Sequence, residues 1–198
     1  MTTSFYRLGD IVIQDINDLS LNNIILKEYP NTIGSEFILS RNRITLITQI
    51  TLRHLQKYKH LYPEDIQNST VIHLRLGDSM GEYYYEKRLR PLDVDYYKKN
   101  IPDGKIYVIG KCHFEKGMSS TNYEECSELS NQYMQNVLNT LDATHFDGGH
   151  PDIDMCFAVV AKHFVQGRGY YSQLIVEIRR CLGLKSIETS SHIFENMN

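Results

Sequence analysis

Residues 70–78 have the sequence Thr-Val-Ile-His-Leu-Arg-Leu-Gly-Asp and predict a buried strand that ends in a tight turn. Val and Ile favour strands, and a short apolar run closed by Gly-Asp is typical of a strand inside a sheet. Arg75 interrupts this run, and a buried arginine requires an anionic partner. Open α/β sheets bind ligands at the carboxyl edge, where a guanidinium matches phosphate oxygens and keeps its charge. The stretch therefore predicts a phosphate site at that edge.

The rest of the chain alternates strand and helix around this stretch. Apolar runs predict strands near residues 70, 105, 143 and 164, and helical periodicity predicts helices starting near 122, 151 and 170. A further helix is expected over residues 41–58. The helix near 122 has Thr121 or Asn122 as its expected cap, since each is followed three residues later by a glutamate. This alternation predicts parallel βαβ units, and hence an α/β fold with a Rossmann-like parallel sheet and flanking helices.

The 198 residues are expected to form one compact domain, with 69–185 as the nucleotide-binding region, 1–68 either packed on it or forming part of the acceptor side, and 186–198 as a tail. A net charge of -3 argues against a nucleic-acid partner bound through a basic field. The four cysteines form no C-x-x-C pair, which argues against structural zinc. No apolar run approaches the length of a membrane span and no signal peptide opens the chain, so a cytoplasmic protein is expected.

The pattern His73-x-Arg75-x-Gly77-Asp78 resembles the signature of the fucosyltransferase superfamily, which includes protein O-fucosyltransferases and α1,2- and α1,6-fucosyltransferases. The resemblance implies the nucleotide-binding half of a GT-B glycosyltransferase that uses a GDP-sugar donor and no other cofactor. It assigns the donor diphosphate to Arg75. His73 and Arg75 are then expected to supply positive potential as the leaving diphosphate gains charge, with Asp78 as the third catalytic candidate.

A second candidate segment, residues 167–172, follows the last predicted strand and opens a helix. Glycines at such a turn let backbone N–H groups face an anion, although an ordinary strand-to-helix turn is the alternative. The resembled family has small hydroxyl residues here, followed by an aromatic residue and a serine. Tyr171 and Ser172 match the last two, and Arg168 compensates for the missing hydroxyl groups. The expected donor-binding residues of the segment are Gly167, Arg168, Gly169, Tyr170, Tyr171 and Ser172.

Asp152-Ile153-Asp154 permits three interpretations. Acidic residues are favoured at a helix start by the helix dipole alone. An Asp-x-Asp pair also binds Mg²⁺ or Mn²⁺ in the other large glycosyltransferase class. The resemblance implies a third role, in which a carboxylate accepts hydrogen bonds from N1–H and the amino group of guanine. Asp154 is the first choice for that role and Asp152 the alternative.

The sequence therefore predicts a metal-independent glycosyltransferase that moves fucose from GDP-fucose to a glycan or other hydroxyl acceptor. Three alternatives stay open: a non-catalytic sugar-nucleotide-binding module of a larger enzyme, a structural nucleotide-binding protein, and a metal-dependent Asp-x-Asp enzyme using a UDP-sugar. Neither the catalytic base nor the oligomeric state follows from the sequence. Besides Asp78, the candidates for the base are His145, Asp147 and His150.

Overall fold

The computed structural model describes residues 41–81, 90–114, 119–149 and 151–189. Most of the predicted N-terminal region, His150 and the end of the tail lie outside these ranges. Within them, five α-helices and six strands follow one another along the chain. In chain order they are α1 Arg41–Tyr58, β1 Thr70–His73, β2 Leu76–Gly77, α2 Val94–Asn100, β3 Ile106–Ile109, β4 Cys112–His113, α3 Ser120–Leu141, β5 Thr144–His145, α4 Pro151–Val160, β6 His163–Val165 and α5 Tyr170–Cys181.

Four of these strands form a parallel sheet in the order β5-β3-β1-β6. Beyond β6, Ile187 forms a further parallel bridge with Val165. In chain order the four strands are the third, second, first and fourth, which is compatible with a Rossmann-like fold. The expectation of a parallel α/β sheet with flanking helices is thus confirmed, and the predicted strands and helices lie where the periodicity put them.

Strand β1 lies at the centre of the sheet because its side chains are apolar on both faces. Val71 is level with Tyr107 and Phe164 and shares a core with residues of α4 and α5. On the opposite face, the next residue, Ile72, belongs to a core with residues of α2 and α3. Helix α1 contacts α4 and α5, so it belongs to the layer on the Val71 side. The result is a sheet between two helical layers.

The pairing of β1 with β3 is interrupted at the residues that follow them and then resumes between β2 and β4. Leu76 pairs with Cys112, which continues the register of Thr70 with Ile106 after a break. Gly110 lies at this break with φ of 142°, and a Cβ atom there would overlap the carbonyl oxygen of Leu74. Leu74 and Leu76, on either side of Arg75, are buried, whereas the Arg75 side chain stays partly exposed.

The cap of α3 differs from the one predicted. Ser119 occupies the N-cap position, and its hydroxyl oxygen accepts a hydrogen bond from Asn122 N at 3.3 Å. The helix therefore begins before Thr121 and Asn122, which lie within its first turn. Ser119 satisfies a backbone N–H that would otherwise lack a partner, and serine is among the residues preferred at the N-cap position. Among the described helices, none has both the length and the apolar character needed to cross a membrane.

Candidate anion-binding site at the carboxyl edge

Strands β1 and β6 are neighbours in the sheet, although they lie far apart in the chain. From β1 the chain continues to β3 on one side, whereas β6 lies on the other, so the strand order reverses between them. Open α/β sheets form a ligand-binding crevice at such a topological switch point, outside the carboxyl ends of the strands. Two of the predicted segments lie there. We call residues 73–78 and 166–169 the switch-point site.

The two halves of the switch-point site touch at Gly167 and His73. A Cβ atom at position 167 would overlap the carbonyl oxygen of His73 and lie 2.6 Å from its Nδ1. Gly167 N also donates a hydrogen bond to Ser172 Oγ at 2.7 Å. Ser172 is fully buried, so its hydroxyl oxygen stabilises the turn from within the fold. The glycine and the serine therefore shape the loop. The donor contact expected of them stays a prediction.

Arg75 lies against the start of α5. Its NH1 atom would be 3.3 Å from a Cβ atom at Gly169, the N-cap residue, whose φ is 86°. Its NH2 atom donates to Asp78 Oδ1 at 3.2 Å, and the Arg75 side chain is 24% exposed while that of Asp78 is 1% exposed. Tyr170 is the first residue of α5. A fixed, partly exposed cation beside the N-terminus of a helix favours the binding of an anion there.

The ring of His73 does not contribute the positive charge that the sequence predicted. Burial, together with the positive charge of Arg75, lowers the pKa of His73 to about 3. The ring is therefore neutral near pH 7, and its Nδ1 is buried without a hydrogen-bond partner among the described residues. Of the two residues, only Arg75 supplies positive potential.

Tyr171 connects this site to the N-terminus of α4. Its ring centroid lies 5.1 Å from that of His73, and its hydroxyl donates to the carbonyl oxygen of Pro151 at 2.5 Å. Burial raises the pKa of the Tyr171 phenol well above its usual value, so the hydroxyl keeps its proton. The residue predicted to contact the donor thus lies between β1 and α4, where it fixes the relative position of the two.

The two aspartates of the Asp-x-Asp pair lie in the first turn of α4 and are both buried. Asp152 is 0% exposed and Asp154 is 5% exposed. Asp154 Oδ1 accepts a hydrogen bond from Gly148 N at 2.8 Å, and burial raises the pKa of this carboxyl to about 6. Within the described ranges, no group of three His, Cys, Asp or Glu side chains is arranged to hold a metal ion. This burial fits a helix-start acid better than an open metal-binding pair.

Lys111, which was not among the predicted site residues, lies beyond β3 at the same edge. Its Nζ is 2.7 Å from Asp147 Oδ1, and both side chains are about half exposed. Burial acts to raise the pKa of Asp147, but hydrogen bonds from Lys111 and Gly149 outweigh it and lower the pKa. His145 Nε2 lies 3.3 Å from the carbonyl oxygen of Gly110. Two of the candidate bases therefore lie together, at the ends of β3 and β5. The signal available for Lys111 was its place directly after the glycine that ends a strand.

Arg168 lies in the switch-point loop between the two glycines and is partly buried. Its Nε atom is buried without a hydrogen-bond partner among the described residues.

Comparison of the chain with family models, with curated proteins and with solved structures finds no match.

Proposed function

We propose that this chain binds a nucleoside-diphosphate sugar at the switch-point site and transfers the sugar, with GDP-fucose as donor, to a hydroxyl acceptor. The observation that carries the proposal is the position of Arg75, whose guanidinium lies against Gly169 at the start of α5. The His-x-Arg-x-Gly-Asp pattern supplies the resemblance to fucosyltransferases. The strand order supports the comparison with the nucleotide-binding half of a GT-B enzyme.

In this reaction the bond between the anomeric carbon and the diphosphate oxygen breaks, and the electron pair leaves with the diphosphate. The acceptor oxygen forms the new bond and loses its proton to a base. A fixed cation beside the leaving oxygens stabilises the charge that develops there. Arg75, which lies against Gly169 at the start of α5, is the proposed source of that charge, without a metal. Asp147 is more accessible to an acceptor than Asp78, because Asp147 is half exposed whereas Asp78 is buried and paired with Arg75. The pair with Lys111 lowers the pKa of Asp147 and so makes it a weak base.

Asp154 is the proposed partner of the guanine nucleobase, with Asp152 as its alternative. Guanine offers two adjacent donors to one carboxylate, whereas uracil offers a single N–H, so this contact would select GDP over UDP. Only one oxygen of Asp154 makes a hydrogen bond within the described structure, to Gly148 N. Asp154→Asn is therefore expected to reduce the preference for GDP over UDP, with affinities measured by calorimetry. A wild-type protein that binds both nucleotides equally would remove the guanine assignment.

The main test is donor turnover by the full chain. We expect GDP-fucose to raise the melting temperature more than UDP- or dTDP-sugars, and GDP to be released when a glycan acceptor is added. EDTA should leave the rate unchanged. Activity that is lost in EDTA and restored by Mn²⁺ would favour the metal-dependent alternative. Binding of GDP-fucose with neither transfer nor hydrolysis would favour a non-catalytic module, and equal affinity for GDP and GDP-fucose would favour a protein that makes no sugar contact.

A further inference from the structure

Among the described residues, Arg168 has no partner for its charge, unlike Arg75, Arg90, Arg179 and Arg180. Arg75 donates to Asp78, Arg180 pairs with Glu177 and Glu188, and Arg90 and Arg179 donate to backbone carbonyl groups. Arg168 makes no hydrogen bond or ion pair to any residue that the structure describes, although its Nε atom is buried. A buried polar atom without a partner destabilises the fold. The Nε atoms of Arg75 and Arg90 are also unpartnered, so what sets Arg168 apart is that no described residue pairs with its charge.

Arg168 belongs to the loop that forms half of the switch-point site. Its neighbours are Gly167, which lies against His73, and Gly169, which lies against the guanidinium of Arg75. Tyr97, on α2, is close enough for the charge of Arg168 to act on its pKa, which burial raises to about 12. Arg75, by contrast, is on the α5 side of the sheet. Arg168 therefore lies towards the helical layer of α2, and Arg75 towards that of α5.

The charges of the two arginines are not equivalent. Asp78 is almost fully buried and lies 3.2 Å from Arg75, so its carboxylate offsets much of the positive charge of that guanidinium. No carboxylate in the described residues does the same for Arg168. A monophosphate needs one cation of this kind, whereas a diphosphate carries additional negative charge on a second phosphoryl group. Arg75 alone, with its charge reduced by Asp78, is poorly matched to both groups.

We infer that Arg168 is the second phosphate-binding residue of the switch-point site, and that it and Arg75 bind different phosphoryl groups of one diphosphate. The inference deepens the proposed function and rests on it for the identity of the ligand as a nucleoside diphosphate. It predicts that the site discriminates between diphosphates and monophosphates, and that this discrimination depends on Arg168.

Calorimetric titration of the full chain with GDP, GMP, inorganic pyrophosphate and inorganic phosphate tests this inference. Arg168→Gln should weaken GDP and pyrophosphate by about tenfold or more, since a charge-assisted hydrogen bond is lost. GMP and phosphate should weaken by less than about threefold, because one cation remains. Arg168→Lys should recover part of the loss, as it keeps the charge without the fork geometry. Arg180→Gln is the matched control, since it removes the same charge from an exposed position on α5 and should change no affinity.

Unchanged melting temperatures would show that the variants fold. If Arg168→Gln binds pyrophosphate and GDP as wild type does, or loses GMP and GDP to the same extent, the two-arginine inference is wrong. If wild type binds pyrophosphate through Arg168 but gains nothing from the nucleoside or the sugar, the inference stands and the proposed function fails. If wild type binds none of the four probes, both fail.

Discussion

Gly167 lies so close to His73 that no side chain fits between the two segments of the switch-point site. A Cβ atom at Gly167 would overlap the carbonyl oxygen of His73 and lie 2.6 Å from the ring nitrogen Nδ1. The backbone angle φ of Gly167 is not in the left-handed region, so its glycine is required by the available space alone.

Gly167→Ala is therefore expected to lower the free energy of unfolding by about 3 kcal/mol, because the new methyl group meets backbone atoms that have little freedom to move. Gly183→Ala is the matched control. Its φ is 71° and nothing lies within 4 Å of the new Cβ atom, so only the strain of a left-handed residue, about 1 kcal/mol, is expected. Urea unfolding of both variants measures the difference. Equal losses would contradict the close contact.

Arg75→Ala is expected to weaken GDP binding by about 1.5–3 kcal/mol and to abolish transfer while leaving the fold intact, because a charge-assisted phosphate contact is lost. Arg75→Lys should recover little, since a lysine cannot reproduce the guanidinium fork. Calorimetry with GDP and with UDP should give similar losses, because Arg75 contacts phosphate and is indifferent to the base. A folded Arg75→Ala protein with wild-type affinity for GDP would reject the phosphate site at this residue.

His73 is expected to make the protein less stable as the pH falls. Its pKa is about 3 in the folded state and near 6.5 in the unfolded chain, so between these values only the unfolded chain takes up the proton. The stability that the neutral His73 ring contributes is fully present above pH 6.5, and the free energy of unfolding declines by about 1.4 kcal/mol per pH unit below it. His73→Gln should remove this slope, as measured by urea unfolding at intervals between pH 4 and 7. A variant with the wild-type slope would mean that the ring is not held neutral.

Asp154 is expected to make the protein less stable as the pH rises, which is opposite to the effect of His73. Burial raises the pKa of its carboxyl from 3.8 to about 6, so between these values the folded protein holds a proton that the unfolded chain has lost. Stability from this group is fully present below pH 3.8 and is lost as the pH rises towards 6. Asp154→Asn retains an acceptor for Gly148 N and should make stability rise more steeply with pH over this window, by about 1.4 kcal/mol per unit. An unchanged profile would show that the carboxyl titrates normally.

Arg179 is expected to be essential for the stability of the fold, although it lies far along α5 from the switch-point site. Its guanidinium is fully buried and donates to the carbonyl oxygens of Ala158, Val159 and Ala161 at the end of α4, at 3.1, 2.8 and 2.7 Å. Burial lowers its pKa to about 10, which leaves it charged. Arg179→Met should cost about 3–5 kcal/mol because these carbonyl groups lose their donor.

Arg180→Met is the control for this variant, since Arg180 is exposed and should tolerate the change to within about 0.5 kcal/mol. Chemical unfolding of the two variants under the same conditions gives the comparison. If Arg179→Met loses no more stability than Arg180→Met, water or neighbouring groups satisfy the carbonyl oxygens and the arginine is dispensable.

Local patterns were sufficient to predict the four strands of the main sheet and four of the five described helices, but not α2 or the two-residue strands β2 and β4. The apolar run at β1, the proline at the start of α4 and the glycines before α5 each act over a few residues, and together they gave a parallel α/β arrangement. The same patterns singled out Arg75 and the loop at 167–169, because a charge or a glycine in such a context is conspicuous without knowledge of the fold. Pairing of β1 with β6 then brought these two segments together.

The sequence by itself determined the strands of the main sheet, most of the helices and which residues are chemically able to bind an anion. Tertiary structure decided the state of those residues. Burial made His73 neutral and raised the pKa of Asp154, and packing directed the hydroxyl of Tyr171 to Pro151. Secondary structure follows from interactions between near neighbours in the chain. The charge and partners of a side chain depend instead on desolvation and on contacts with distant segments, which exist only once the chain has folded.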